Sequence, residues 1–150
     1  MIGRQRARAF TLLEMLAVLL LIALGMSLLS YALQRAVVSA QGRQTSRDLV
    51  VALRAARVAA ITRGEPASVV FDLQLPGYHL AEHPMQHLPD GMLLRVTSAA
   101  GRVPGQALIT FLPAGTSTGG RIELAWNGRL WQVDVAWLTG RVSSQEVSAP

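Results

Sequence analysis

The sequence predicts an α+β protein in which a long N-terminal helix packs on a C-terminal head of antiparallel β-strands. Twenty consecutive residues without a charge lie between Glu14 and Arg35, which is the length needed to cross a bilayer. The apolar residues that follow recur with a helical period, and from Ala67 onward the period changes to two and turn residues recur. The first half of the helix is therefore expected in a membrane and the second half against the head.

Composition limits the classes of function to be considered. The 150 residues suffice for one ordinary domain, and the absence of cysteine excludes disulfides, thiolate zinc sites, iron–sulfur clusters and a cysteine nucleophile. All 14 cations are arginine, and three of them (Arg4, Arg6 and Arg8) fall within the first nine residues. Without that leader the formal charge drops from +5 to +2, so the basic isoelectric point alone gives little support to nucleic-acid binding.

The apolar segment predicts a single membrane span. As a helix, residues 10–31 would rise about 33 Å, enough for a hydrocarbon core of about 30 Å. The preceding arginines keep the N-terminus in the cytoplasm by the positive-inside rule, so everything after about Gln34 is exported. Two simpler interpretations stay open: a secretory signal peptide cleaved after Ala40, and an uncleaved anchor.

The carboxylate at the start of this helix is not explained by a simple membrane anchor. At mid-membrane Glu14 would cost about 2.5–3.5 kcal/mol, and such residues are usually paired and functional. The run AFTLLE (residues 9–14), after an arginine-rich leader and before the apolar helix, resembles the signal of type IV pilins and type II secretion pseudopilins. The resemblance implies cleavage by prepilin peptidase between Ala9 and Phe10 and N-methylation of Phe10. It also implies that Glu14 pairs with the amine of a neighbouring subunit during assembly.

The second half of the helix is predicted from an apolar stripe with the spacing i, i+4, i+7, i+11: Leu49, Leu53, Ala56 and Ala60. Arginines cluster on a neighbouring face, at Arg43, Arg47, Arg54 and Arg57. They are expected to form a solvated flank rather than a nucleic-acid stripe, because no aromatic residues are interleaved. Gly64, followed by Glu65-Pro66, should end the helix. The chain would then divide into a leader (1–9), a transmembrane and assembly helix (10–34), the periplasmic half of the helix (35–65) and the head (66–150).

Six strands are predicted in the head, over residues 68–75, 78–81, 92–97, 107–112, 121–126 and 129–137. The last two form the best-defined pair, because Asn127-Gly128 is a favoured two-residue hairpin turn. This turn pairs Ile122 with Val133, Leu124 with Trp131 and Trp126 with Arg129 on an apolar face, and Glu123 with Gln132 and Arg121 with Asp134 on a polar face. Trp126 and Trp131 are accordingly predicted as core residues, and residues 143–150 as a frayed tail.

Two patterns invite a functional interpretation but favour a structural one. His79, His83 and His87 have the spacing of a zinc site on a helix, yet prolines and glycines break the stretch into turns, so loop histidines and no metal site are expected. Residues 113–120 resemble a phosphate-binding loop only in composition, and a flexible loop between strands is expected. Since no catalytic arrangement and no cofactor motif stands out either, the sequence predicts a protein that is not an enzyme.

The run ITFLPAGTSTGGRIELAWNGRLWQVDVAWLTGRV (residues 109–142), with LRAARVAAITRG on the helix (residues 53–64), is similar to the GspH/FimT-like family of minor pseudopilins and minor pilins. The resemblance implies a type IV pilin-like fold. It favours an H-type minor pseudopilin of a type II secretion system, near the tip of the pseudopilus, anchored in the inner membrane with a periplasmic head. Its expected partners are the other minor and major pseudopilins, prepilin peptidase and the inner-membrane secretion platform.

The alternative that this resemblance leaves open is a FimT-like minor type IV pilin that binds DNA for uptake. Such a function would favour a cluster of arginines after the last predicted strand, where only Arg141 stands. Arg129 and Arg141 are the residues expected to make weak nucleic-acid contacts in that case. Nucleic acid is therefore the less favoured partner.

Overall fold

A computed structural model describes residues 12–81, 83–99 and 104–148 of the chain. One helix is followed by eight strands: α1 (Leu12–Arg63), β1 (Ala67–Asp72), β2 (Gly77–Leu80), β3 (Gln86–His87), β4 (Leu93–Ser98), β5 (Gln106–Phe111), β6 (Gly120–Trp126), β7 (Arg129–Val135) and β8 (Val142–Ser148). The chain separates into two compact units, Met1–Val37 and Val38–Pro150. The second unit, called the head from here on, contains the end of the helix and all eight strands.

Helix α1 ends where the sequence predicts. Gly64 follows its last residue with a φ of +71°, a conformation that glycine adopts without the penalty of a Cβ. The Gly64 amide donates to the Ala60 carbonyl over 3.1 Å, so the turn satisfies one of the last free carbonyls of the helix. The predicted beginning at Phe10 lies outside the described residues.

The strands form two four-stranded antiparallel sheets. The first has the order β3-β2-β1-β5 and the second the order β4-β6-β7-β8. Side chains join the two sheets where β4 and β5 come close: the Ser98 hydroxyl donates to the Leu108 carbonyl over 2.6 Å and to the Gly119 carbonyl over 3.3 Å. The antiparallel β-rich head predicted from the period of two is confirmed.

The core of the head lies between the helix and the two sheets. The four residues of the predicted helical stripe are all fully buried: Leu49, Leu53, Ala56 and Ala60. They belong to one apolar cluster with Phe71 and Ile109 of the first sheet and Leu124, Trp131 and Val133 of the second. Fully burying a Leu, Ile, Val or Phe side chain stabilises a protein by about 1.5–3 kcal/mol, so this cluster is the main source of stability for the head.

The β6–β7 hairpin has the predicted register. Asn127 and Gly128 both have positive φ, as a tight hairpin turn of this kind requires. The paired residues are Ile122 with Val133, Leu124 with Trp131, Trp126 with Arg129, Glu123 with Gln132 and Arg121 with Asp134. Trp131 is buried, and Trp126 packs against the core while its indole donates to the Asp90 carbonyl over 3.2 Å. Trp131 is therefore a core residue, as predicted, whereas Trp126 is half-buried and packs against the core.

Several predictions for the head are wrong. Residues 143–148 are not a frayed tail, because Val142–Ser148 forms β8 and pairs with β7 along its whole length. The short strand β3 was not expected, and β1 and β7 end at Asp72 and Val135 rather than at residues 75 and 137. The carboxylate of Asp72 explains the first early end, since it accepts hydrogen bonds from the amides of Gln74 and Leu75 and so forms a turn.

The loop of residues 113–120 forms several hydrogen bonds with its neighbours. Its Ser117 amide donates to the Trp137 carbonyl over 2.8 Å, and the Ser117 hydroxyl donates to the Ala136 carbonyl over 3.2 Å. Thr118 exchanges two further bonds with Thr110 of β5. Ser117 itself is buried, so this loop is part of the packed structure.

Candidate functional site

The N-terminal part of helix α1 is apolar enough to cross a membrane. Residues Leu12–Ser30 have a mean hydropathy of 2.5, and none of this segment is buried within the protein. At 1.5 Å per residue these 19 residues rise about 28 Å, close to the thickness of a hydrocarbon core. By length and composition the segment fits a membrane span.

The predicted assembly residues fall at the beginning of this segment. Glu14 lies in the first turn of the described helix and its side chain is exposed. Ala9 and Phe10, the predicted cleavage site and methylated residue, lie outside the described residues. The structure therefore places the carboxylate on a helix of membrane length and does not test the processing site.

In the head, three elements meet at one carboxylate. Glu146 of β8 forms a hydrogen-bonded ion pair with Arg129 of β7, and its second oxygen lies 4.0 Å from Arg43 of the helix. Glu146 thus ties β8 both to its neighbouring strand and to the helix. Arg129, one of the two predicted nucleic-acid contacts, is already ion-paired, which lowers its value for binding a phosphate.

Two helix arginines contact the chain elsewhere in the head. Arg54 donates to the Val142 carbonyl over 3.3 Å, and Arg57 donates from Nε to the Gly115 carbonyl over 3.2 Å. Arg54 is exposed, as predicted for a solvated flank, whereas Arg57 is half-buried. Arg47 is exposed, as predicted.

A salt bridge on the polar face of the β6–β7 hairpin helps to lower the pKa of Asp134. Its carboxylate accepts hydrogen bonds from Arg121 Nε over 2.7 Å and from Gln132 Nε2 over 2.6 Å. Burial by itself would raise the pKa of Asp134, but these hydrogen bonds and the nearby guanidinium outweigh burial and hold the pKa below its ordinary value of 3.8. The predicted charge pair is confirmed.

A groove of about 500 Å³ runs between the helix and the first sheet. Its walls come from residues 48–55 on the helix, from residues 78–80 on β2 and from residues 83–86. Burial, and then the nearby Asp48 carboxylate, raise the pKa of the Tyr78 phenol to about 12, so this phenol stays neutral at physiological pH. The Nδ1 atom of His79 is enclosed and has no hydrogen-bond partner among the described residues.

The three histidines do not form one cluster. His79 lies on β2 opposite Val70, His87 lies on β3 opposite Gly77, and His83 lies in the intervening turn. Within residues 12–81, 83–99 and 104–148, no group of three or more His, Asp or Glu side chains is arranged to hold a metal ion. The turns predicted from the prolines do separate the histidines.

Comparison with known proteins decides the family. The family model described as type II transport protein GspH matches residues 45–140, and the model of the prokaryotic N-terminal methylation motif matches residues 4–30. A type II secretion system protein H from Xanthomonas campestris pv. campestris is 35% identical over 98% of this chain and 88% of that protein. The chain belongs to the GspH family. Its family match covers the helical stripe and strands β1 to β7, so the resemblance seen in the sequence is confirmed.

Solved structures similar to this GspH chain have a pilin-like fold. The minor pseudopilin EpsH of Vibrio cholerae is 14% identical, with a TM-score of 0.55 over 70% of this chain and 96% of that one. The type IV minor pilin FimU of Pseudomonas aeruginosa is 17% identical, with a TM-score of 0.52 over 69% of this chain and 91% of that one. Both likenesses confirm the predicted α+β, pilin-like architecture of the GspH chain.

One exposed surface of the GspH head was not anticipated. Trp137 and Leu138 lie in the turn between β7 and β8 and are 68% and 60% exposed, whereas Trp137 was predicted to lie in a strand. Ile61 of the helix and Leu112 of the loop after β5 are also substantially exposed. Gly115 brings both towards this turn, because its amide donates to the Leu112 carbonyl and it lies against Ile61 and Gly140. We call these four residues the apolar corner. The Thr139-Gly140 turn sequence directly after Leu138 was the signal that the strand ends early.

Proposed function

We propose that this GspH protein is a minor pseudopilin that is built into a short periplasmic pseudopilus near its tip. Its helix anchors it in the inner membrane before assembly, its head lies in the periplasm, and its role is structural rather than catalytic. One observation carries the proposal: the methylation motif at residues 4–30 and the GspH match at residues 45–140 occur in one chain. The methylation motif belongs to proteins that are processed at the N-terminus for assembly. The GspH match indicates the type II secretion branch of these proteins.

Processing is the first step of the proposed function. Prepilin peptidase cuts between Ala9 and Phe10 and methylates the new amine of Phe10. The methylation motif, which includes both residues, supports this step. Removal of the leader also removes Arg4, Arg6 and Arg8, so the cationic sequence that holds the N-terminus in the cytoplasm is lost only after insertion.

Glu14 is the residue on which assembly depends in this proposal. The apolar segment that follows it has no other charge from Met15 to Gln34, and a carboxylate within such a segment is unfavourable in lipid. The N-terminal amine of a neighbouring subunit neutralises it once the helices bundle. Pairing with that amine couples shielding of the charge from lipid to incorporation of the subunit.

Other pseudopilins are the partners implied by the family, and the proposal adds prepilin peptidase and the inner-membrane secretion platform. The exposed side chains of Leu12–Ser30 supply the surface that bundles with other pseudopilin helices after leaving lipid. The head then meets partner heads above the membrane.

The test is made on the full chain in a secretion-competent strain that lacks its own copy. Intact-mass measurement should show loss of residues 1–9 and gain of one methyl group on Phe10. Glu14→Ala should insert into the membrane and be processed, but should not enter filaments or restore secretion. Glu14→Asp, which keeps the carboxylate, is the matched control and should restore part of both. Cleavage after Ala40, or full secretion with Glu14→Ala, contradicts the proposal.

A further inference from the structure

The apolar corner brings exposed hydrophobic side chains from three parts of the head to one place. Gly115, in the loop after Leu112, has its Cα so close to the helix that a Cβ there would lie 3.5 Å from Ile61 Cδ1. Gly119, at the other end of the same loop, lies still closer to Trp137, since a Cβ there would lie 2.9 Å from the Trp137 Cβ. The helix end, the loop after β5 and the β7–β8 turn therefore share one surface.

The turn that carries Trp137 and Leu138 is held by backbone hydrogen bonds. The Gly140 amide donates to the Ala136 carbonyl over 2.8 Å, and the Ala136 amide donates to the Arg141 carbonyl over 3.0 Å. A third bond, from the Ser117 amide to the Trp137 carbonyl, ties the turn to the neighbouring loop. Since the backbone is held in advance, a partner that covers these side chains has little backbone ordering to overcome.

Exposure of this kind is unusual for a surface that faces water. A tryptophan side chain offers about 150–250 Å² of surface. Trp137 is 68% exposed, and the neighbouring Leu138 is 60% exposed. Clustered apolar side chains on a soluble surface mark interaction sites more often than not. An aromatic residue at the centre of such a cluster is the usual anchor of a protein interface.

Three guanidinium groups border the apolar corner. Arg57 contacts the Gly115 carbonyl, Arg54 contacts the Val142 carbonyl, and Arg141 is exposed directly after the turn. Over the described ranges, no carboxylate forms an ion pair with any of these three arginines, whereas Arg43, Arg95, Arg121 and Arg129 are each paired. The uncompensated charge around the corner is positive.

We propose that the apolar corner is the docking surface for the head of a different pseudopilin, which presents an apolar pocket for Trp137 bordered by carboxylates. Aromatic residues and arginine are the types enriched in protein interfaces, and here they occur together at a turn held by backbone hydrogen bonds. Duplex DNA would use the arginines but offers nothing for Ile61, Leu112 and Leu138. This inference rests on the proposed function and adds to it the surface and the chemistry of the partner.

The test measures binding of the full chain, in detergent, to each of the other full-length pseudopilins encoded with it. Trp137→Ala and Leu138→Ser should each weaken binding to one of them by about tenfold or more, because anchor residues supply most of an interface's affinity. Leu93→Ser is the matched control: Leu93 is 70% exposed, but it pairs with Ala125 at the opposite end of the second sheet. It should bind like the wild type. Arg141→Glu should also weaken binding, and a carboxylate-to-lysine change on the partner should restore it.

Three results would overturn the inference while leaving the proposed function intact: the Trp137 variant binds pseudopilins as well as the wild type does, only self-association of the chain is lost, or only binding to anionic lipid vesicles is lost. They would mean, respectively, that the corner is not an interface, that it is occupied by a second copy, or that it contacts a membrane. If the wild-type chain binds no other pseudopilin and its deletion leaves secretion unchanged, the proposed function and this inference fail together.

Discussion

Gly42 of helix α1 lies directly against the indole of Trp131, at the point where the helix crosses strand β7. A Cβ on residue 42 would lie 2.6 Å from the ring atoms Cζ2 and Cζ3, so no side chain fits there without moving the ring. Glycine in a helix interior costs roughly 1 kcal/mol relative to alanine. The close approach of the helix to the sheet requires glycine at position 42 despite that cost.

Gly42→Ala should therefore destabilise the head despite its better helix propensity. The added methyl group overpacks the contact with Trp131, and overpacking typically costs about 1–3 kcal/mol. Chemical unfolding of the full chain in detergent, followed by circular dichroism, measures the change. Gly25→Ala is the control in the same helix, because nothing lies within 4 Å of the position its Cβ would take. A stability of Gly42→Ala equal to that of the control would contradict the contact.

Trp131→Ala and Trp137→Ala should differ strongly in their effect on stability. Trp131 is only 2% exposed and lies in the core, so its removal should lower the free energy of unfolding by about 3–5 kcal/mol. Trp137 is 68% exposed, and its removal should change the free energy of unfolding by about 0.5 kcal/mol or less. The same unfolding measurement applied to both variants checks the assignment. Equal losses would show that the two rings are not placed as described.

Local sequence signals predict the hairpin and the helical stripe well, because both follow from short-range rules. Asn127-Gly128 fixes the turn type, and the turn type fixes the register of β6 and β7. Strand β8 gives no such signal, since its residues between Val142 and Val147 are small or polar on both faces. It forms because the backbone of β7 offers an unpaired edge, and hydrogen bonds between backbones do not depend on side-chain pattern.

Contacts between distant parts of the chain are the other features that the sequence does not show. Arg54 and Arg57 have the spacing of a solvated helix face, yet their partners are carbonyl groups 88 and 58 residues away. The period of two continues through Trp131, Val133, Val135 and Trp137, but the chain turns after Val135. Periodicity therefore extends the predicted strand to Trp137, and only the tertiary structure shows that this side chain lies in a turn and is exposed.

The salt bridge of Asp134 should make the head less stable in acid. Because the folded-state pKa lies below 3.8, the unfolded chain binds the proton more readily, so this contribution is present above about pH 3.8 and is lost as the pH falls through the folded pKa. Asp134→Asn should lower the melting temperature at neutral pH, and its difference from the wild type should shrink well below pH 3.8. Glu65→Gln, which removes one charge from an exposed residue, is the control. A pH-independent difference between Asp134→Asn and the wild type would contradict this role.

A measurement of DNA binding would distinguish a secretion protein from a protein that takes up DNA. The charges of the head predict that its binding to DNA is weak. Eleven of the 14 arginines and eight of the nine acids follow Gln34, which gives this part of the chain a formal charge of only +3. Among the described residues, Arg43, Arg95, Arg121 and Arg129 are already paired with Glu146, Glu123 or Asp134. A protein that binds duplex DNA through phosphates releases counterions, and its affinity falls with salt by a slope of about 0.9 per phosphate neutralised.

The full chain in detergent should therefore bind duplex DNA in the non-specific range, with a Kd of about 10⁻⁴–10⁻⁶ M at physiological salt. Fluorescence anisotropy over a series of salt concentrations measures both the affinity and the slope. Arg129→Ala combined with Arg141→Ala should change little, because Arg129 is held by Glu146 and Arg141 alone contacts few phosphates. Arg95→Ala, on the edge strand β4, is the control for loss of one arginine. Much tighter binding that the double variant abolishes and the control retains would instead favour a pilin that takes up DNA.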